Sequence, residues 1–198
     1  MNHKRKFFDS HAKEWDRKNH LGDPMKLKEL VSIFKIKKGA KVLDIGCGTG
    51  VLLPYLSKNV GENGRVFALD FCWEMIKKAK RKKIAKNVFY INADTNDLPL
   101  AGDSFDYIIC FATFPHLDKK LKSLKEMQRV LKPRGKVFIS HLASRNEINA
   151  FHKRSSKVVS NDILPTEKNM RRMMTKAGFK NTKVIDKPSF YLAYGEKR

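Results

Sequence analysis

The stretch Lys41 to Gly50, KVLDIGCGTG, constrains this chain more than any other. Val42, Leu43 and Ile45 form a short apolar run that Gly46, Gly48 and Gly50 cut off, the pattern of a buried strand running into a tight loop. Val51, Leu52, Leu53, Tyr55 and Leu56 then supply one apolar helical face, with Pro54 in the first turn, where its missing N–H costs little. Glycines at alternate positions let the backbone approach a bound molecule and leave N–H groups of the helix N-terminus pointing at it. An anionic group is expected to dock there.

Nucleotide-binding folds of several kinds place a glycine loop after their first strand, so the spacing has to discriminate. The dinucleotide fingerprint puts its third glycine where this chain has Val51, and a side chain there would crowd the helix against the strand. Val66, Phe67, Ala68 and Leu69 form a second strand ending at Asp70, about 20 residues beyond the loop, the usual reach of an acid that binds ribose hydroxyls. A ligand with a ribose, an adenine and an amino-acid carboxylate satisfies these groups without any phosphate.

Five segments in order, Val42 to Gly50, Leu69-Asp70, Asn92-Ala93-Asp94, Phe105 to Ile109 and Leu131-Lys132-Pro133-Arg134-Gly135, resemble the class I S-adenosylmethionine-dependent methyltransferases. The resemblance is to the small-molecule branch containing the ubiquinone/menaquinone-biosynthesis C-methyltransferases, and it covers Val42 to Ile139. Arg134 departs from the pattern, since the family usually has a second glycine there. The resemblance implies a Rossmann-like α/β fold: a doubly wound, seven-stranded, mostly parallel sheet with a C-terminal antiparallel hairpin. It implies S-adenosyl-L-methionine as cofactor, with Gly46, Cys47, Gly48 and Gly50 in the loop and Asp44 beside the amino group. Asp70 would take the ribose, and Phe71 and Met75 would border the sugar and adenine. Asp94 would accept from the adenine amino group and Thr95 would offer its backbone N–H. Both Phe71 and Met75 are equally read as packing residues.

Composition bears on what else the chain can do. The formal net charge is +22, from 42 Lys and Arg against 20 Asp and Glu, and a surface so basic draws polyanions. The bases are mostly lysine, spread along the chain, with few aromatics between them. The densest run, Lys77 to Lys86, falls towards the end of a helix opened by Trp73, Met75 and Ile76, where cations favour the dipole. A solvated lysine-rich face is therefore favoured over a nucleic-acid partner. Cys47, Cys72 and Cys110 are too few and too scattered for a metal cluster or a disulfide frame, so no metal is expected and the cytoplasm is the expected home. No uninterrupted apolar run reaches the length of a membrane span, and no secretory signal is expected.

Residues 1–38 read as an N-terminal helical lid ahead of a methyltransferase domain at 39–198, the whole forming one compact domain. Phe7, Phe8, Ala12 and Trp15 form a first amphipathic pattern. Leu27, Leu30, Val31, Ile33 and Phe34 form a second after the Gly22-Asp23-Pro24 break. Because the resembling family folds this segment over the cofactor, Trp15 and His20 are candidates to face a ligand, while the alternative is that the aromatics only pack the helix onto the sheet.

Further along, Phe105 to Phe111 is almost continuously apolar, as a parallel strand covered on both faces should be. Its end, with Phe111, Ala112, Phe114 and His116, lies at the carboxyl edge, where open α/β sheets bind ligands. A helix from Leu117 to Leu131 is stopped by Lys132-Pro133, and a strand from Lys136 to Ser140 delivers His141. His152 and Arg154 follow on the helix after Ser144. His116, His141 and His152 are candidate general bases, because an imidazole titrates near neutrality; metal ligation and plain structural roles are the alternatives. In the tail, Asp162 could overhang the substrate mouth or serve a turn, and a helix through Met170, Met173 and Met174 leads to two antiparallel strands.

The activity expected is methyl transfer to a small-molecule acceptor. The sulfonium carries the chemistry and the protein aligns the reactants, so no protein nucleophile is needed. Two rivals stay open: an RNA- or protein-directed methyltransferase exploiting the positive surface, and a cofactor-binding module without catalysis. The Asn-Pro-Pro-Tyr type motif of many base N-methyltransferases is absent after the fourth strand, where Phe111-Ala112-Thr113-Phe114 stands.

Overall fold

The computed structural model describes residues 3–18 and 23–198, and the chain divides into two compact units, Met1–Asp94 and Thr95–Arg198. In the first unit, helix α1 (His3–His11), a 3-10 turn (Ala12–Glu14), α2 (Trp15–Lys18) and α3 (Pro24–Ile33) precede three strands. These are β1 (Lys41–Ile45), β2 (Arg65–Asp70) and β3 (Val88–Asn92), joined by α4 (Leu53–Val60) and α5 (Trp73–Arg81). Both strand pairs are parallel, with Val42 opposite Val66 and Leu69 opposite Ile91. The β1 side chains from Val42 to Ile45 are buried on both faces, as a central parallel strand requires.

Local chemistry sets the helix ends. The Asp23 carboxylate caps α3 by accepting the Met25 N–H at 2.9 Å, and Pro24 occupies the first turn. The Gly22 part of the expected break lies outside the described residues. Leu27, Leu30, Val31 and Phe34 face inward, whereas Ile33, expected on the same face, is exposed. Helix α5 ends at Arg81, so only the first half of the Lys77 to Lys86 run is helical, and Lys83 takes a left-handed φ of 46°.

The second unit contains β4 (Phe105–Phe111), a 3-10 turn (Phe114–His116), α6 (Lys120–Val130), β5 (Leu131–His141), α7 (Arg145–Arg154) and α8 (Glu167–Lys176). Strands β6 (Phe179–Lys187) and β7 (Phe190–Lys197) close it. Strands β4 and β5 are parallel, β7 is antiparallel to both β5 and β6, and the strand order is β3-β2-β1-β4-β5-β7-β6. This is the expected seven-stranded, mostly parallel α/β sheet with its antiparallel hairpin.

The starts of α6 and β5 differ from the sequence reading. Helix α6 starts at Lys120 because Leu117 is already extended, at ψ 117°. Strand β5 starts at Leu131, five residues early, because Pro133 keeps the residue before it out of the helical region and Leu131 pairs with Phe105 across an irregular register. Arg134 sits in that irregularity with φ 64°. The left-handed backbone there explains why a glycine suits the family pattern at this position. Helix α7 is held by a reciprocal capping box between Ser144 and Glu147.

Candidate functional site

Within the first unit the glycine loop is shaped from below by β2. The N–H groups of Gly46 and Cys47 both donate to the Leu69 carbonyl, at 2.8 and 3.0 Å, and the Gly50 N–H donates to the Cys47 carbonyl at 2.9 Å. The Asp70 carboxylate spans the next gap: Oδ2 accepts the Gly48 N–H and Oδ1 accepts the Cys72 N–H, each at 2.8 Å. Among the described residues, the N–H groups of Thr49, Val51 and Leu52, leading into α4, have no acceptor. The glycines' own amides thus build the loop, and the amides at the helix entry face outward for an anion.

The conformations divide the labour further. Gly48, at φ 53°, has open space where a Cβ would stand, so the backbone there is approachable. Gly50, at φ 86°, is instead the close contact, since an added Cβ would lie 2.9 Å from Leu53 Cδ1 and 3.3 Å from Ala79 Cβ. That packing lets α4 start directly on the loop.

Asp44 and Asp70 make this end strongly acidic. Asp44 is 2% exposed, and no hydrogen-bond donor among the described residues meets its carboxyl. Burial, reinforced by the charge of Asp70, raises it from 3.8 to about 7. Burial also raises Asp70, to about 6, partly offset by the N–H bonds from Cys72 and Gly48. A buried carboxyl with no donor calls for a cation. Asp70 keeps lone pairs to spare, because a carboxylate has about four acceptor positions and the two N–H groups use two.

The N-terminal segment lies on this loop. The Thr49 hydroxyl donates to Asp16, and Lys78 and Lys82 Nζ lie 3.4 and 3.0 Å from the same carboxylate. Lys78 also donates to the Ala12 and Lys13 carbonyls, and the Cys72 thiol donates to Asp9 at 2.8 Å. Phe8 is buried, in edge contact with both Trp15 and Phe71 at 5.5 and 5.9 Å between ring centroids. Trp15 and Phe71 are half-buried, Met75 is fully inside on α5 and Asp94 is exposed. His20 lies outside the described residues.

Within the second unit the three candidate histidines converge. His116 Nδ1 lies 2.7 Å from Asp162 Oδ2, and the Asp162 side chain is 6% exposed. His152 Nδ1 is hydrogen-bonded to the backbone carbonyl of the same Asp162, and the His116 and His152 rings are 4.8 Å apart. His141 is buried at the end of β5, where burial and then the charges of His116 and His152 lower it to about 3. Each Nδ1 pointed at an Asp162 oxygen must carry its proton, which leaves Nε2 as the basic nitrogen of both rings.

Thr95, Phe111 and Phe114 are buried in this unit, and Ala112 follows β4 in a left-handed conformation at φ 51°, its N–H donating to the Ser140 carbonyl. Arg154 is exposed. Two residues from His152 on one helix, it points about 200° away and does not join the histidines. Among the described residues no group of three or more His, Cys, Asp or Glu side chains is arranged to hold a metal ion.

A family model described as a methyltransferase domain matches residues 36–178, and the chain belongs to that family. Among curated proteins it is 36% identical over 135 residues to a demethylmenaquinone methyltransferase of Staphylococcus aureus, covering 66% of this chain and 56% of that protein. The chain thus spans little more than half the length of the curated relatives it matches. Among solved structures, an S-adenosylmethionine-dependent methyltransferase from Aquifex aeolicus is 29% identical with a TM-score of 0.75, covering 96% of this chain and 98% of that one. A phosphoethanolamine N-methyltransferase from Haemonchus contortus shares the fold, with a TM-score of 0.74 at 21% identity over 91% of this chain and 44% of that one.

Sequence reasoning missed several partners. Asp9, Asp16, Lys78 and Lys82 carry no motif, and they meet the loop region only through long-range packing. Tyr191 reads as an ordinary strand residue, yet it is fully buried directly opposite His141. The one signal available for it was the antiparallel hairpin, which brings the start of β7 to the end of β5.

Proposed function

We propose that this chain transfers a methyl group from S-adenosylmethionine to a small-molecule acceptor. The observation that carries the reading is Asp44, a buried carboxyl without a donor among the described residues, near the end of β1 and two residues before a glycine loop that Asp70 pins in place. An ammonium group answers the first carboxylate, a sugar diol answers the spare acceptors of the second, and a carboxylate answers the amides of Thr49, Val51 and Leu52. One molecule bearing all three is an aminoacyl thioether or sulfonium nucleoside. When bound, S-adenosylmethionine supplies an electrophilic methyl on sulfur.

The chain's own residues hold and orient. Gly46, Cys47, Gly48 and Gly50 form the cradle, Phe71 and Met75 wall it, and Asp94 and the Thr95 amide take the adenine. Phe111 and Ala112 form the strand end on the cofactor side. His116, His141 and His152 serve the acceptor, with Trp15, Phe114 and Asp162 as further contacts. Residues 1–38 act as a lid on the domain at 39–198, supported by the Asp16 contacts to Thr49, Lys78 and Lys82. The demethylmenaquinone named by the Staphylococcus aureus relative is the first acceptor to try. Three buried, unbridged cysteines support a reducing compartment such as the cytoplasm, and no helix among the described residues is long and apolar enough to cross a membrane.

Calorimetry tests the reading. S-adenosylmethionine and S-adenosylhomocysteine should each bind with one-to-one stoichiometry, and NAD and ATP should not. Equal or tighter binding of NAD would refute the assignment. Release of S-adenosylhomocysteine during incubation with acceptors then separates a catalyst from a silent binding module.

A further inference from the structure

Among the described residues three buried polar atoms of the second unit have no hydrogen-bond partner, and two lie on one face of the sheet. They are His141 Nε2 and the Tyr191 hydroxyl, at positions directly opposite each other in the antiparallel β5–β7 pair, with ring centroids 6.1 Å apart. Directly opposed residues point to the same side. Ser140 Oγ is also unpartnered, but alternation along β5 places it on the other side. A buried hydroxyl or imidazole nitrogen left unmet is costly, so two such atoms on one face of the sheet mark a place for a polar guest.

The guest must be polar, and its polarity can be read from the atoms that await it. The Tyr191 hydroxyl can donate, and burial keeps it in its neutral, donating form. His141 stays uncharged for the same reason, so its Nε2 offers either a lone pair or a single N–H. A hydroxyl oxygen, which accepts and donates at once, satisfies both. A carboxylate or phosphate does not suit, because this pair offers it no positive charge. The groups that electrostatically face His141 are His116 and His152, and both have Nδ1 engaged by Asp162.

We propose that Tyr191 and His141 bind the hydroxyl of the methyl acceptor, that His116 Nε2 takes the hydroxyl proton, and that Asp162 positions His116 for that step. The inference rests on the methyl-transfer reading above and specifies its acceptor as a hydroxyl-bearing compound. The balance is simple. The acceptor loses its O–H proton to His116, and its freed electron pair, on oxygen or a conjugated carbon, bonds to the methyl. The methyl–sulfur bond breaks with its electron pair left on sulfur. One cationic sulfonium is consumed and one proton is released, through His116, to solvent.

The test is binding rather than turnover. Calorimetry of the full chain, with and without saturating S-adenosylhomocysteine, compares 1-naphthol with 1-methoxynaphthalene, which keeps the rings and lacks the proton. The wild-type protein should bind the naphthol at least tenfold more tightly. Tyr191→Phe and Asp162→Asn should each bring that ratio below threefold while the S-adenosylhomocysteine affinity stays within twofold of wild type. A purely structural Asp162 would lower both probes together and leave the ratio alone. Equal wild-type affinity for the two probes, or a ratio that survives Tyr191→Phe, overturns the inference and assigns the unmet atoms to buried water. Intact S-adenosylhomocysteine binding in that case keeps the methyl-transfer reading. Loss of S-adenosylhomocysteine binding by the wild-type chain would instead remove both.

Discussion

Replacing Asp44 by asparagine separates what this residue costs the empty protein from what it gives a ligand. In the folded chain the carboxyl sits at about 7 against an ordinary 3.8, because burial and the Asp70 charge disfavour its ionised form. The folded state therefore holds a proton that the unfolded state releases between those two values, and stability falls as pH rises across that window. At about 1.4 kcal/mol per unit, the loss by pH 8 is on the order of 4 kcal/mol, an upper figure because Asp44 and Asp70 titrate as a coupled pair. Asparagine cannot ionise, so Asp44→Asn should unfold at a higher temperature than wild type at pH 8 and close to it at pH 4. Binding should move the other way. Losing a hydrogen bond to a charged group removes about 1.5–3 kcal/mol, so S-adenosylmethionine should bind at least tenfold more weakly. Methylthioadenosine, which lacks the amino-acid arm, should bind both proteins equally. Scanning calorimetry across pH and titration with the two ligands settle it. An unchanged S-adenosylmethionine affinity, or an equal loss for methylthioadenosine, would refute the pairing of Asp44 with an ammonium group.

Three further outcomes are expected. Asp70→Ala strands the Gly48 and Cys72 N–H groups, at about 1–3 kcal/mol each, so denaturant unfolding should show a loss of several kcal/mol and an unchanged midpoint would contradict the loop geometry. Ala112→Gly relieves a left-handed alanine and should raise stability by about 1 kcal/mol, whereas Gly50→Ala should lower the melting temperature through both its φ and its contact with Leu53; melting curves of the two variants decide. Asp16→Ala removes the shared partner of Thr49, Lys78 and Lys82, so residues 3–18 should be cleaved faster by protease, and S-adenosylhomocysteine should dissociate faster in stopped flow.

The first unit was the more legible half because its strands are short apolar runs closed by glycine or acid. Val42 to Ile45 and Val66 to Asp70 need no tertiary information to be placed, and the Asp70 link to the loop follows once β1 and β2 pair in parallel. The ends of elements were less legible. Whether the lysine run stays helical to Lys86 or stops at Arg81 depends on the turn through Lys83, and lysine is a good helix former that announces no stop. In the second unit His116, His141 and His152 could be named from strand and helix ends. That His116 and His152 both lean on Asp162 could not, since 46 residues separate it from His116. Arg154 was grouped with them by proximity in sequence, and the helical turn carries it away. Tyr191 was invisible as a site residue because its meaning lies in an empty hydrogen-bond position, which only three-dimensional packing creates.

Asp70 joins two segments through one side chain: one oxygen fastens the glycine loop, the other fastens the entry to α5. Acidification below about 6 converts one of those acceptors into a hydroxyl. On the reading proposed above, in which Asp70 also anchors a sugar, that anchor and the scaffold that shapes its cradle slacken together, so mild acid should empty the protein of its nucleoside before the fold as a whole gives way.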